Sequence, residues 1–340
     1  MPMSRRDGGA PFLIDCDPGH DDALAILYAN VHLNLVGLTT VFGNQSVDKT
    51  TRNALGVCTL GGIAVPVAAG AAASLEGPPV DASDVHGKTG LDGAELPEPD
   101  RDVIDRDAAD FIIETSHQWA GELTVIATGP LTNVATALRR DPTLPSRLAG
   151  LSVMGGTTGP GNVTAVAEIN IFADPEAAQI VMEAGIPMRL VGLTVTTTIG
   201  ADAETIARLE ASGGPVADVL AGLLDFYRKS QQRLYGRDIA PFHDVCAVLP
   251  FVAPDLIEYR EGHVAVELDG THTRGMTVTD FRNIPDIRLS HFQHSLPANA
   301  RVAVSVDAKT AVPHILDTVL AHYDGRRFAA EKVMDLSLET

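Results

Sequence analysis

Short apolar runs alternate along this chain with stretches in which apolar residues recur every three or four positions. The runs Phe12–Asp15, Leu35–Phe42, Val65–Ala69, Leu123–Thr128, Leu151–Met154 and Arg189–Leu193 are apolar almost throughout. That pattern predicts strands covered on both faces, since a strand with one wet side would alternate. The intervening segments Asp22–Ala29, Asp48–Leu60, Ala108–Trp119, Leu131–Arg139 and Pro175–Ala184 carry the helical period. Buried strands separated by helices imply a parallel sheet whose right-handed crossovers bring the C-terminal ends of the strands to one edge. Such sheets bind ligands at that edge.

The later part is less regular. Residues 202–236 read as two helices, His243–Pro250 as the start of another, Arg301–Val306 as a strand and Thr310–His322 as a closing helix. Gly262–Phe281 alternates around Asp269-Gly270, which predicts an antiparallel hairpin. The fold class expected is α/β: an open, mostly parallel, Rossmann-like sheet with helices on both faces, extra C-terminal helices and the hairpin. No repeat or linker divides it, so residues 1–340 read as one domain with a core over about 11–325. The segment 71–106, rich in Gly, Pro and Asp, is too long for a plain connector, and loops of that length are usually functional or mobile. The 330–340 tail reads as polar and frayed.

Composition narrows the function. Lys and Arg number 25 against 44 Asp and Glu, a net charge of −19, and no basic run offsets it locally. Nucleic-acid phosphates would be repelled, so the expected partner is a small neutral molecule or a divalent cation. No apolar stretch approaches the ~18 residues of a membrane span. Arg5 and Arg6 are followed by no apolar segment of the signal-peptide kind. Cys16, Cys58 and Cys246 show no paired spacing, which argues against a disulfide framework or a zinc site and suggests a reducing, cytoplasmic setting. GGTTGPGN (155–162) lacks the order of a phosphate-binding loop.

The chemistry concentrates in FLIDCDPGHDDALAI, residues 12–26, where a strand ends in Asp15-Cys16-Asp17 and a helix begins with Asp21 and Asp22. Four carboxylates this close repel one another and call for a hard cation such as Ca²⁺ or Mg²⁺. The segment is no EF-hand loop, because Gly19 falls at its fifth position and Ile26 at its twelfth. Helix capping accounts for Asp21 or Asp22 alone, not for all four acids.

DCDPGHDDA (15–23) resembles the N-terminal signature of the inosine–uridine nucleoside hydrolases. The similarity continues in family order through TTVFGN (39–44), HG (86–87), ATGPLTN (127–133), MGG (154–156), GNVTAVAEIN (161–170) and PFHD (241–244). The resemblance implies Ca²⁺-dependent hydrolysis of the N-glycosidic bond of ribonucleosides, in nucleoside salvage, by a homodimer or homotetramer. It implies metal ligation by Asp17, Asp22, the main-chain carbonyl of Thr128 and Asp244. It also implies a substrate pocket with Asp21, Asn44, His86, Met154, Asn162, Glu168 and Asn170. Ribose hydroxyls both donate and accept, and Asn, Asp and Glu answer them. Tyr227, Gln231 and Tyr235 fall at i, i+4 and i+8, one stripe of a helix, and in the family that helix faces the base; such a stripe fits core packing equally well.

Cleaving a ribosyl C–N bond builds positive charge on the sugar and negative charge on the base. Asp17 is expected to accept the proton of the attacking water, with calcium acting more by positioning than by acidifying it. His243 is expected to serve as leaving-group acid, because it adjoins a metal ligand and imidazole titrates in the useful range. His20 is expected beside the site and outside the chemistry. Base preference stays open at this point. The alternatives are a Mg²⁺-dependent phosphohydrolase with an Asp nucleophile and a nucleoside-binding protein without turnover; the scarcity of Lys near the motifs disfavours the first.

Overall fold

The computed structural model describes residues 9–282, 284, 294–325 and 328. The expectation for the 330–340 tail lies outside them, as does that for Arg5 and Arg6. Among the described residues eleven strands run β1 Pro11–Cys16, β2 Asn34–Thr40, β3 Val67–Ala69, β4 Leu123–Ala127, β5 Leu148–Met154, β6 Met188–Val191, β7 Gly200–Ala201, β8 Ala240–Pro241, β9 Ile257–Val266, β10 Thr277–Asp280 and β11 Ala300–Val306. Nine form one sheet in the order β10-β9-β11-β6-β5-β4-β1-β2-β3, and β7 and β8 make a separate antiparallel ribbon. From β3 to β11 every neighbouring pair is parallel, and β9 and β10 are added antiparallel at one edge.

The order 3-2-1-4-5-6 within this sheet is that of doubly wound folds. The chain starts in the middle, winds one way through β2 and β3, then returns to β4 beside β1. Loops leaving the C-terminal ends of β1 and β4 therefore diverge to opposite faces and leave a crevice between them.

Both faces of the sheet are apolar, as the unbroken strand runs required. Phe12, Ile14 and Cys16 of β1 join a core with α1 (His20–His32), α2 (Val47–Leu60) and the later helices; Leu13 joins the opposite core. That opposite core packs α4 (Ala108–Gln118), α5 (Thr132–Arg140) and α7 (Pro175–Met182), while α3 (Ser83–His86) and α6 (Ile169–Ala173) are single turns near the sheet edge. On the first face α8 (Leu193–Thr196) is followed by α9 (Ala203–Ser212), α10 (Pro215–Tyr235), α11 (Val245–Val252) and α12 (Ala308–Tyr323). Among the described residues no helix is long and apolar enough to cross a membrane.

Three expectations need correction. The hairpin forms, with Val266 opposite Thr277, but its connection is no two-residue Asp-Gly turn. Residues 267–276 make a longer loop in which Arg274 bonds back to Gly270 and Gly275, at φ +80°, to Glu267. Leu193 opens α8 instead of closing a strand. Asp15 does not join the other acids: Thr39 Oγ1 (2.6 Å) and Asn133 Nδ2 (2.8 Å) donate to its Oδ1.

Asn133 is the knot of that network. Its Nδ2 also donates to the Thr40 carbonyl (2.9 Å), and its Oδ1 accepts from Ala71 N (2.9 Å), where the 71–106 segment begins. Replacing it strips partners from a buried carboxylate, a carbonyl and an N–H at once, each costing ~1–3 kcal/mol when left unpaired. Asn133→Ala should therefore destabilise the protein by about 3 kcal/mol, read as a lower urea midpoint with unchanged slope; an unchanged midpoint would contradict this account.

Candidate active site

The crevice between β1 and β4 holds the site. After Cys16 the chain turns through Asp17-Pro18-Gly19 into α1, whose first turn carries Asp21 and Asp22, near the positive end of the helix dipole. Thr128 follows β4, and its N–H donates to the Asp15 carbonyl (2.8 Å), fastening the two strand ends together. Asp244 arrives from the other side of the molecule, just before α11. One carboxylate oxygen from each of Asp21, Asp22 and Asp244 lies within 4.8 Å of the others, all three residues being buried.

Capping explains part of this cluster. Asp22 Oδ2 accepts from Gly19 N (2.9 Å) and Asn44 Nδ2 (3.2 Å), and its Oδ1 accepts from Thr128 Oγ1 (2.9 Å). Asp17 is held by Asn44, whose N–H donates to Oδ2 (2.7 Å) and whose side-chain amide donates to the Asp17 carbonyl (3.0 Å). Gly43, at φ +153°, is required for this grip, since a Cβ there would overlap Asp17 Oδ2. Asp17 Oδ1 is buried with no partner among the described residues.

Burial raises the pKa of all four acids, and neighbouring carboxylates raise those of Asp17, Asp21 and Asp244 further while hydrogen bonds pull Asp22 back; Asp21 reaches about 7. Among the described residues no Lys or Arg lines the adjoining cavity. Buried carboxylates in contact must share protons or hold a cation. The donor set is oxygen only, with an orphaned carboxylate oxygen beside it, and that suits a hard divalent ion. The close triad contains Asp21; Asp17 stands next to it in the same electrostatic cluster.

The cavity above the cluster measures about 330 Å³. Every residue expected to hold the metal or the substrate lines it except Asp17 and Asp22, which are buried. On one side Asn162 Oδ1 accepts from Ile169 N (2.9 Å), so this side chain closes its own loop and also faces the cavity. Glu168 caps α6, accepting from the N–H groups of Asn170, Gly156 and Ile171, and burial raises its pKa to about 7. Asn170 Nδ2 donates to the carbonyls of Thr128 (2.8 Å) and Met154 (3.2 Å), fixing the position of both.

The opposite side is aromatic. Tyr227 and Gln231 of α10 are buried and Tyr235 is 39% exposed at the rim, so the stripe serves the core and the cavity together. His243 Nδ1 lies 2.6 Å from Thr196 Oγ1, and burial pushes its pKa down to about 3. His20 lies beneath, buried and stacked on Phe226 and Tyr227. Sequence reasoning missed Thr196, which sits in TVTTT with nothing to distinguish it, and the wall formed by Asp81, Asp84 and Val85. The length of the 71–106 segment was the only signal for that wall.

Comparison with known proteins agrees with this geometry. The family described as inosine-uridine preferring nucleoside hydrolase matches residues 12–312. The pyrimidine-specific ribonucleoside hydrolase RihA of Citrobacter koseri is 41% identical over 92% of this chain and 98% of its own length. RihA of Shigella boydii serotype 4 is 40% identical over 90% of this chain and 97% of its own. Among solved structures, a purine-preferring ribonucleoside hydrolase from Gardnerella vaginalis superposes with a TM-score of 0.82 at 30% identity, covering 93% of this chain and 98% of that one. A plant nucleoside hydrolase, PpNRh1, gives 0.83 at 31% identity, covering 93% and 99%. The chain belongs to the inosine-uridine preferring nucleoside hydrolase family and is an enzyme of that family.

Proposed function

We propose that this enzyme hydrolyses the N-glycosidic bond of ribonucleosides, pyrimidine ribonucleosides foremost, with Ca²⁺ held by the buried carboxylates. The observation that carries the reading is the buried, oxygen-only cluster opening on a cavity walled by hydroxyl-matching groups on one side and aromatic groups on the other. The pyrimidine preference rests on the 40–41% identity to relatives named as pyrimidine-specific, against 30% to one named as purine-preferring.

Asp17, Asp22, Asp244 and the Thr128 carbonyl would hold the ion. When bound, Ca²⁺ supplies the charge that offsets these carboxylates and a coordination sphere that orients water and sugar hydroxyls. Asp17 has a free oxygen, Oδ1, to take the proton of an attacking water. Asp21, Asn162, Glu168 and Asn170 grip the ribose hydroxyls, and their oxygens lower the energy of the positive charge that develops on the sugar.

His243 meets the base as a neutral ring, because burial disfavours its charged form. The Thr196 hydroxyl can donate to Nδ1 and leave the proton on Nε2. His243 then offers the departing base a hydrogen bond that strengthens as negative charge builds there. Asp21, Asp81, Asp84, Glu168 and Asp244 line the cavity with no Lys or Arg beside them among the described residues, which repels a phosphate and favours a neutral nucleoside.

Release of reducing sugar from uridine, cytidine, inosine and adenosine, with and without excess chelator, tests the reading directly. Chelator-sensitive ribose release, faster from the two pyrimidines, is expected; phosphate release from a generic phosphoester with no ribose release would overturn it. Added Ca²⁺ should also raise the melting temperature of chelator-treated protein, by several degrees at about 100 times Kd, and Asp22→Asn should abolish the shift. An equal shift in both proteins would remove Asp22 from the ion's shell. His243→Ala should keep the calcium-dependent shift but slow natural nucleosides by ~100-fold, with a much smaller loss on a ribosyl substrate carrying an activated leaving group. Equal losses on the two substrates would place His243 outside leaving-group chemistry.

A further inference from the structure

We propose that Arg189 and Arg301, in a groove at the end of the sheet opposite the catalytic crevice, bind a small phosphate ester. The site shares no residue with the cavity, so it goes beyond the proposed function and does not depend on it.

Strand register brings the two arginines together. Arg189 in β6 and Arg301 in β11 are direct neighbours in a parallel pair. Adjacent strands run about 4.8 Å apart, so the two side chains leave the sheet side by side. Both leave it on the face that carries α11, because Val191 and Ala303, two residues on, belong to that core while Leu190 and Val302 belong to the other. There the Arg189 guanidinium lies over the Phe251 ring, 5.0 Å from its centre, and that of Arg301 over the Tyr259 ring at 5.2 Å. A ring engages the flat face of a guanidinium and leaves its N–H edges free to donate. The groove around them has a volume of about 450 Å³ and is walled by the small side chains of Ala149, Ala298 and Ala300.

Nothing offsets this pair of charges. Acids outnumber bases by 44 to 25, and eight other arginines among the described residues pair with Asp or Glu. Arg189 and Arg301 have no carboxylate within ion-pair reach among those residues, and two like charges side by side repel. The Tyr259 hydroxyl adds another unmet group, buried and without a partner among the described residues. Burial raises its pKa and both guanidinium groups pull it back, so all three groups lie close together. A phosphate carries two charges and enough oxygens to meet both forks, whereas one carboxylate fills a single fork. Glu261, directly across from Arg301 in β9, lines the same groove. Its carboxylate accepts hydroxyl groups and repels bare phosphate, which favours a phosphate carried on a hydroxylated body such as a sugar.

The net charge of −19 opposes the capture of any anion. At an ionic strength of ~0.15 M the screening length is ~8 Å, so distant acids count for little against two cations in contact with the ligand. The local pair decides, and no basic run in the sequence announces it, because residues 189 and 301 meet only through strand pairing.

Calorimetric titration of the whole protein with ribose 5-phosphate and with inorganic phosphate tests the site. Both should bind, ribose 5-phosphate the more tightly, with a Kd of about 1 mM or below. Arg189→Gln and Arg301→Gln should each weaken binding about ten-fold, the loss of one charge-assisted contact, with ribose release and melting temperature unchanged. Arg189→Lys and Arg301→Lys keep the charge but not the fork and should lose less. Glu261→Gln should weaken ribose 5-phosphate and strengthen inorganic phosphate; an equal gain for both would overturn the choice of a hydroxylated ester. No heat from either probe in the millimolar range, or binding that survives both Gln substitutions, overturns the site itself. A lower assembly mass for Arg301→Gln, with no phosphate binding by the unaltered protein, would assign the groove to contact between copies instead.

Discussion

Asp17, Asp21, Asp22 and Asp244 are buried together, and ionised carboxylates removed from water cost several kcal/mol each unless something positive compensates them. The surroundings compensate only in part. The N-terminus of α1 offers its dipole, Asn44 and Thr128 offer hydrogen bonds, and no Lys or Arg among the described residues lines the adjoining cavity. The remaining deficit is what a divalent ion would fill. The same deficit organises the neighbourhood: Gly43 keeps the space beside Asp17 free of side chains, and Asn170 fixes the Thr128 carbonyl close by.

The doubly wound sheet makes this concentration of charge tolerable. The acids sit on loops and helix starts at the crevice between β1 and β4, so the apolar cores on the two faces form without them. Asp15, the one acid inside the strand, is handled differently. Burial raises its pKa to about 6, and the hydrogen bonds that Thr39 and Asn133 donate to one of its oxygens keep it from rising further. It ties β1 to β2 and α5, while Asp17, two residues on, belongs to the site.

Those two aspartates show where reading the sequence succeeded and where it failed. Unbroken apolar runs announced the parallel sheet, because strands buried on both faces have no polar side to display. The motif around Asp17, Asp21 and Asp22 was legible because its members are local. Asp15 was miscounted among them because alternation puts residues 15 and 17 on one face only while the strand continues, and it stops at Cys16. Asp244 and Asn170 were legible only through family resemblance, since the contacts that bring them to residues 21 and 128 span 223 and 42 positions. The Asp269-Gly270 pair suggested a tight turn that the structure replaces with a ten-residue loop, 267–276, because strand register places Val266 opposite Thr277. Thr196 carried no local signal: it matters only because the chain folds it against His243.

The 71–106 segment has the most to gain from this view. It leaves β3 through the bond between Ala71 and Asn133, supplies Asp81, Asp84, Val85 and His86 to the cavity wall, and then returns the Asp92 carbonyl to His20. Arg233 of α10 donates to the Asp84 carbonyl (2.6 Å), and Gly222 packs so closely on Gly93 that neither could carry a side chain without collision. A long loop has many conformations to lose on folding. Here that cost is offset at both ends and in the middle by bonds to rigid elements. Such anchoring is what a wall needs if it is to present its side chains to the cavity in fixed positions. The irregularity that made this segment unreadable as secondary structure is thus the same property that lets it reach α1, α2 and α10 at once.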